Sequence, residues 1–274
     1  MAAEPPRPLR FAMITDVHLV GFREEGGHVW PRLPGHAWHA LSRRYDLMPM
    51  LLPRALEQVQ RQHSPAFIVF GGDQTDDGNG ELGQADQEQF RALAERYARV
   101  PLEYVYGNHD GPQEKFRARF GNLDYHFDSE GVRFVALNSG SMEWAAEEAS
   151  SAAALAELRE AIATAEGRRL IVILHQWIEP PDVEGYSIRR AEDMRTMLEA
   201  YPRTAAVLNG HYHTGKWLER AGIHYHTAKA LCEPPFCYTV YEVAQDRLVV
   251  TEYTLNTQQQ AFVPGETLVL ALQG

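Results

Sequence analysis

Cysteine is nearly missing from this chain: Cys232 and Cys237 are the only two in 274 residues. Their spacing makes neither a zinc knuckle nor a redox CxxC pair. The plain reading is two small core or loop residues, with a local disulfide as the lesser alternative. Cationic side chains are also scarce, with 26 Lys and Arg against 37 Asp and Glu and a net charge of −11. Polyanions are held by clustered basic residues, so a nucleic acid polymer is a poor expectation as partner. A bound pair of divalent cations would reverse that balance locally and leave room for a small anionic substrate. No apolar run reaches membrane-spanning length, and the opening MAAEPPRPLR lacks the apolar stretch of a signal peptide. These absences predict a cytoplasmic protein with no membrane partner. No internal repeat or low-complexity block is seen.

What is present is the balance of a globular protein, 45% hydrophobic and 23% charged. One α/β domain over residues 1–274 is expected, large enough to bury a sizeable core. Short β-branched runs read as strands at Leu9 to Thr15, Ala66 to Phe70, Leu102 to Tyr106, Val132 to Asn138, Leu170 to Leu174 and Thr204 to Leu208. Helical patterns lie between them around Pro53 to Gln62, Ala85 to Ala98, Met142 to Ala165 and Arg190 to Tyr201. From about residue 215 the chain turns strand-rich, with runs at Gly215 to Arg220, Ile223 to Ala228, Cys237 to Val243 and Arg247 to Tyr253 that suggest an antiparallel portion. The tail Leu255 to Gly274 is open to pairing with a second subunit, which leaves a homo-oligomer open. Residues 19–46 break the rhythm. Their Trp30, Trp38, His28, His36 and His39 suit an ordered insertion, read equally as a lid or pocket wall and as a self-packed surface loop.

The chemistry sits where the strands stop. The apolar runs are followed in turn by Asp16-Val17-His18, Gly71-Gly72-Asp73, Gly107-Asn108-His109-Asp110, His175 and Gly210-His211-Tyr212-His213. Ligands of α/β folds bind at the carboxyl ends of strands, so five such ends in one sheet region would gather these side chains. Imidazole nitrogen with carboxylate or amide oxygen suits Mn, Fe, Co, Ni or Zn, and no thiolate biases the choice. The glycines before Asp73, Asn108 and His211 would allow tight turns and close backbone approach to a ligand. A lone DxH or HxH is weak; five such pieces in order, each at a strand end, are not.

The ordered set DVH, GD, GNHD, H, GHYH resembles the calcineurin-like metallophosphoesterase superfamily, closest in motif pattern to its bacterial phosphodiesterase-type members, over Asp16 to His213. The resemblance implies a four-layer α-β-β-α sandwich of two packed mixed sheets flanked by helices. It implies two divalent or trivalent transition-metal ions, Mn, Fe or Zn foremost, about 3.5–4 Å apart, with a nucleophilic hydroxide that attacks phosphorus in line. Carried over position by position, Asp16, His18 and His213 match the ligands of one ion and Asn108, His175 and His211 those of the other, with Asp73 bridging. His109 matches the catalytic histidine that stabilises the phosphoryl group or protonates the leaving group. Asp110 is placed to orient His109, and Asp76 and Asp77 read as supporting or turn residues. His224 and His226 share one strand face and read as structural or dimer-facing, and His63 and His126 carry no signal.

Departures within the superfamily narrow the branch. The protein Ser/Thr phosphatase branch has Arg after the second Asp of GDxxD, where this chain has Asp77 and Gly78. The purple acid phosphatase branch has Tyr where Asp76 stands, and the lipid A diphosphatase branch has Arg where His109 stands. The remaining expectation is a hydrolase of a small anionic phosphodiester, such as a cyclic nucleotide or glycerophosphodiester. The alternatives are a phosphomonoesterase or nucleotide pyrophosphatase and, from another class, a non-catalytic protein-binding module. The substrate-binding residues are not given by the motifs.

Overall fold

The computed structural model describes residues 7–26, 28–31, 42–140, 148–183 and 186–273. In chain order its elements are β1 (Leu9–Ile14), β2 (Phe22–Glu25), β3 (His28–Pro31), α1 (Met48–His63), β4 (Ile68–Phe70), α2 (Gly80–Tyr97), β5 (Leu102–Tyr104), α3 (Gln113–Phe120), β6 (Tyr125–Ser129), β7 (Val132–Leu137), α4 (Glu148–Ala163), β8 (Arg169–Leu174), α5 (Ala191–Ala200), β9 (Thr204–Asn209), β10 (Lys216–Arg220), β11 (Ile223–Thr227), β12 (Cys237–Val243), β13 (Arg247–Asn256) and β14 (Ala261–Ala271). One six-stranded sheet runs β14-β13-β12-β1-β4-β5, the other β10-β11-β9-β8-β7-β6, and β2 with β3 forms a small hairpin. The pairs β1–β4 and β4–β5 are parallel in the first sheet, as are β7–β8, β8–β9 and β9–β11 in the second.

The strand sequences dictate the layers. Alternate residues of a strand point to opposite faces. On β1, Phe11 and Met13 enter the core between the sheets, whereas Ala12 and Ile14 pack with Leu52 and Leu56 of α1 and Phe90 of α2. On β7, Phe134 and Ala136 face the same inter-sheet core, while Val135 and Leu137 pack with Leu158 of α4 and Leu198 of α5. Both faces of these parallel strands are therefore buried, which explains their unbroken apolar runs. The result is the expected α-β-β-α sandwich. Phe11 is fully buried and joins the two sheets, with ring centroids 5.2 Å from Phe67, 4.9 Å from Tyr241 and 5.1 Å from Phe134 of the opposing sheet.

Several local expectations change. The strand-rich last quarter is not one antiparallel unit. β10 and β11 join the second sheet, with β11 parallel to β9, and β12 to β14 complete the first. The tail pairs with β13 of its own chain as β14, an edge strand in which Pro264 and Gly265 obscure the strand pattern. Helix α1 begins before Pro53, because Pro49 already occupies its first turn, where a missing N–H costs nothing. The insertion contains the β2–β3 hairpin, while residues 32–41, with His36, Trp38 and His39, lie outside the described residues. The first part of the helical pattern at Met142 also lies outside them. Cys232 and Cys237 are buried free thiols. His63 and His126 support the packing: the His63 ring meets Tyr253 at a tilt, centroids 4.5 Å apart, and His126 meets Glu157 at 2.6 Å. Among the described residues no helix is long and apolar enough to cross a membrane.

Two predictions test this frame. Phe11→Ala removes the ring shared by both sheets and is expected to cost about 3–5 kcal/mol in chemical denaturation; a loss below about 1 kcal/mol would contradict its bridging role. Asp124 accepts the Asn138 N–H at 2.8 Å, yet burial pushes its carboxyl up to about 6. The folded state then binds the proton more tightly than the unfolded state, so stability falls as pH rises from about 4 through about 6. Asp124→Asn keeps the acceptor oxygen and removes the charge. It should raise stability at pH 8 by on the order of 1 kcal/mol, with the gain shrinking toward pH 4.5. A gain independent of pH in thermal melts would refute this account.

Candidate metal centre

The five motif-bearing strand ends do not lie in one sheet. Asp16, Asp73 and Asn108 follow β1, β4 and β5 of the first sheet, and His175 and His211 follow β8 and β9 of the second. They meet because the carboxyl ends of both sets of parallel strands open onto the same rim of the sandwich. Backbone hydrogen bonds fasten these ends to their neighbours: Asp16 N–H to Gly72 O at 3.1 Å, His18 N–H to Asp73 O at 3.0 Å and Gly210 N–H to His175 O at 3.1 Å. Asp16, His18, Asp73 and His211 have φ of 51°, 47°, 51° and 67°. Side-chain-bearing residues adopt this left-handed region at a cost on the order of 1 kcal/mol each, and they cluster at functional sites when the surroundings hold them there.

The glycines have a role other than approach to a ligand. A Cβ on Gly72, whose φ is +99°, would stand 2.3 Å from the His175 imidazole. One on Gly210 would stand 2.1 Å from Thr15 Oγ1 and 2.5 Å from Asp16 Oδ2. These positions are empty so that side chains from the neighbouring strand end can enter.

Within the rim, donor atoms of His18, Asp73 and His109 lie within 4.8 Å of one another, as do those of Asp73, His175 and His211. Asp73 belongs to both groups: its Oδ2 is 3.5 Å from His18 Nε2 and 3.1 Å from His175 Nε2. Asp16 Oδ1 stands 3.2 Å from His213 Nε2 and 4.0 Å from both His18 Nε2 and His175 Nε2. Asn108 Oδ1 accepts a 3.4 Å hydrogen bond from Gln176 Nε2. All eight residues singled out by the motifs therefore come together at the rim.

The histidines are held from behind. His175 Nδ1 donates to Gly71 O at 2.8 Å, His213 Nδ1 meets Glu233 Oε1 at 2.9 Å, and His18 Nδ1 meets Asp76 Oδ1 at 3.2 Å. The Gly71 and Glu233 contacts place a proton on Nδ1 of His175 and His213 and turn Nε2 toward the centre, whereas His18 Nδ1 is shared between the Asp76 carboxylate and the Arg43 guanidinium. His18 Nε2 is buried with no hydrogen-bond partner, and the buried His175 Nε2 faces Asp73 Oδ2 at 3.1 Å. His109 Nδ1 is bound to the Asp76 carbonyl at 2.6 Å, which leaves its Nε2 free, and the ring is only partly buried.

Electrostatics shows how the cluster balances its buried charge. Burial opposes ionisation of Asp16 and Asp73, but the charge of and hydrogen bond to His213 hold Asp16 below the carboxylate range, and those of His175 do the same for Asp73. Burial also opposes a charge on His175, yet Asp73 and Asp16 push it up to about 9. Burial and the Arg43 charge push His18 down to about 4, so it stays neutral with a free lone pair. Two buried carboxylates thus draw protons onto the facing imidazoles. A pair of divalent cations fits the same donor set and would supply that positive charge directly.

Other residues of the site were not singled out in the sequence. Arg43, at the end of the insertion, donates to Asp76 Oδ1 at 2.7 Å and lies 3.3 Å from His18 Nδ1, and Tyr45 Oη donates to the same carboxylate at 2.9 Å. Asp76 is therefore a positioning group for His18, while Asp77 caps a turn at Asn79. Ser139 Oγ, at a sixth strand end, accepts the His175 and Gln176 N–H groups, both at 2.9 Å. Cys232 Sγ lies 3.9 Å from His213 Nδ1, so a thiol does border the centre; burial pushes its pKa up. Glu233 and Cys232 carried no motif, but Asn138-Ser139-Gly140 at the end of a strand was a signal of the same kind as the others. His224 and His226 prove structural, bonded to Ala271 O and Tyr241 Oη at 2.8 and 2.9 Å.

Two six-stranded sheets with a histidine and carboxylate cluster at their shared rim define the architecture of dimetal phosphoesterases. The chain belongs to the calcineurin-like phosphoesterase family, whose model matches residues 9–215. The family uses dinuclear metal centres. A curated relative, a "probable cyclic nucleotide phosphodiesterase" of Colwellia psychrerythraea, is 23% identical over 241 residues, covering 85% of this chain and 80% of the relative. Among solved structures, a dimetal phosphatase of Danio rerio superposes with a TM-score of 0.75 at 15% identity, covering 98% of this chain and all of that one. A protein described as the anchor in the inner membrane complex of Plasmodium gives 0.68 at 14% identity, covering 98% and 90%. At these identities the structures speak for the fold alone.

Asp110 corrects the orienting role expected of it. Its Oδ1 accepts the Gln74 and Thr75 N–H groups at 2.8 and 3.2 Å, and its Oδ2 accepts Gly107 N–H at 2.9 Å. It splices the loops after β4 and β5 and does not touch His109 Nδ1. Asp110→Asn turns an amide donor toward the Gly107 N–H, and should cost about 1–3 kcal/mol of stability. Thermal unfolding beside a pH–rate profile checks this: a shifted profile with unchanged stability would restore the orienting role.

Proposed function

We propose that this protein hydrolyses a small phosphodiester, such as a cyclic nucleotide or glycerophosphodiester, at a two-metal centre, within one domain spanning residues 1–274. The observation that carries this reading is the sharing of Asp73 between two donor groups, one with His18 and His109 and the other with His175 and His211. Asp16, His18 and His213 would hold one ion and Asn108, His175 and His211 the other, with Asp73 common to both sets. Two cations bound there would supply an activated water and neutralise charge on the phosphoryl oxygens. The chain's own work is to hold the imidazoles of His175, His18 and His213 in place through Gly71 O, Asp76 and Glu233. His109, with Nδ1 fixed on the Asp76 carbonyl, offers Nε2 to the phosphoryl group or to the leaving oxygen, where it stabilises charge or delivers a proton.

The phosphodiester preference is supported by the filled GDxxD, GNHD and GHYH positions and by the name given to the Colwellia relative. A non-catalytic role is disfavoured because no ligand position is degenerate.

Asp73→Ala is expected to abolish turnover of bis(4-nitrophenyl) phosphate and to lose the rise in melting temperature on adding manganese. His109→Ala should keep that rise and lose roughly 10²–10⁴-fold in kcat. Faster cleavage of mono- or pyrophosphate esters than of diesters would replace the diester reading. No turnover with any of Mn, Fe, Co, Ni or Zn would end it.

A further inference from the structure

Beside the metal-binding rim lies an aromatic surface that the chemistry above does not use. Trp177 follows His175 and Gln176 directly, and Tyr212 lies between His211 and His213. The Tyr186 ring stacks on Trp177, with centroids 5.3 Å apart and planes inclined by 26°. It also meets Tyr212 at 5.4 Å and the His211 imidazole at 5.5 Å, both at steep angles. Trp177 and Tyr212 are in contact at 5.4 Å. These rings form one surface that begins at a metal-site imidazole and runs outward.

The outer ring is held in place. Trp177 N–H donates to Tyr186 O at 3.1 Å, Ile188 N–H returns to Trp177 O at 3.4 Å, and the Trp177 indole N–H donates to Ser187 Oγ. Lys216 Nζ sits 3.6 Å from the centre of the Trp177 ring and is paired with Glu179 at 3.1 Å, which fixes the indole. An ordinary packing contact would bury both rings. Here Trp177 is 6% exposed while Tyr186 keeps 37% of its surface open. An aromatic face that is ordered beforehand and left open binds a planar group at little entropic cost.

We propose that Tyr186, backed by Trp177 and Tyr212, is the stacking platform for a nucleobase, and that the substrate is therefore a nucleotide ester rather than a glycerol ester. This rests on the phosphodiesterase reading for the reaction but not for the platform itself. Neither Trp177 nor Tyr186 needs to hold a metal.

The test is calorimetric binding of AMP and of glycerol 3-phosphate to the manganese-loaded protein, its Tyr186→Ala variant and its Tyr186→Phe variant. AMP should bind the unaltered protein more tightly than glycerol 3-phosphate. Tyr186→Ala should weaken AMP roughly 5- to 100-fold and glycerol 3-phosphate less than about twofold, and Tyr186→Phe should retain AMP binding. AMP binding no tighter than glycerol 3-phosphate, or an equal loss of both in Tyr186→Ala, overturns the proposal. A parallel assay with 3′,5′-cyclic AMP and glycerophosphocholine tests the hydrolase: absence of turnover there ends the catalytic reading while the binding comparison still decides the platform.

Discussion

Asp16 and Asp73 are buried at the junction of two sheets, and a charge taken that far from water costs several kcal/mol unless it is compensated. Much of the rim can be read as the response to this constraint. The facing imidazoles of His175 and His213 supply hydrogen bonds and positive charge. Left-handed backbone at Asp16, His18, Asp73 and His211 brings the side chains inward. Gly72 and Gly210 leave out the side chains that would occupy the same space. Each feature is unfavourable or unhelpful to folding alone, and together they describe a chain that accepts local strain to concentrate donors where cations can meet them.

The strain is affordable because the frame beneath it is conventional. The inter-sheet core is continuous under the rim, and Phe11 contacts residues of both sheets one turn of alternation away from Met13 and Thr15. Short parallel strands such as β4 and β5 deliver their motif within a few residues of leaving the core. The position of each metal-type side chain is thus set by a strand end rather than by a long loop, which is why residues far apart in sequence converge with little freedom.

The same physics decides what was legible in the sequence. Strands buried on both faces read as plain apolar runs, so β1, β4, β7, β8 and β9 were visible with nearly correct ends. Elements lacking that signature were not: α3 buries only Phe116, and β14 carries Pro264 and Gly265. The residues of the candidate centre were legible because each followed a visible strand. Their supports were not, since a hydrogen bond from Arg43 to Asp76 or from His213 to Glu233 leaves no spacing pattern behind. The division of the five strand ends between two sheets was likewise invisible, because periodicity reports which residues are buried and not which sheet buries them. Asp110 shows the limit most clearly: adjacency to His109 suggested a partner, whereas its carboxylate turns to backbone N–H groups of another loop.

On the reading proposed above, a rim assembled from two sheets separates the metal-type donors from the surface that would select the substrate. The donors occupy fixed strand ends, and altering one disturbs charge balance across the whole cluster. Part of the segment that leaves β8 is less restrained. Residues 177–183 and 186–190 lie between β8 and α5, and the hydrogen bond that holds the His175 imidazole from behind is made to Gly71 O, outside them. The hydrogen bonds that pin Tyr186 to Trp177 are made within this segment, and the contacts to His211 and Tyr212 are ring against ring. Ring contacts constrain shape but carry little charge, so this surface can be remodelled for a different leaving group at small cost to the metal-binding geometry. On the platform proposed above, that asymmetry places the selectivity of this chain beside His211 rather than among the residues proposed as ligands.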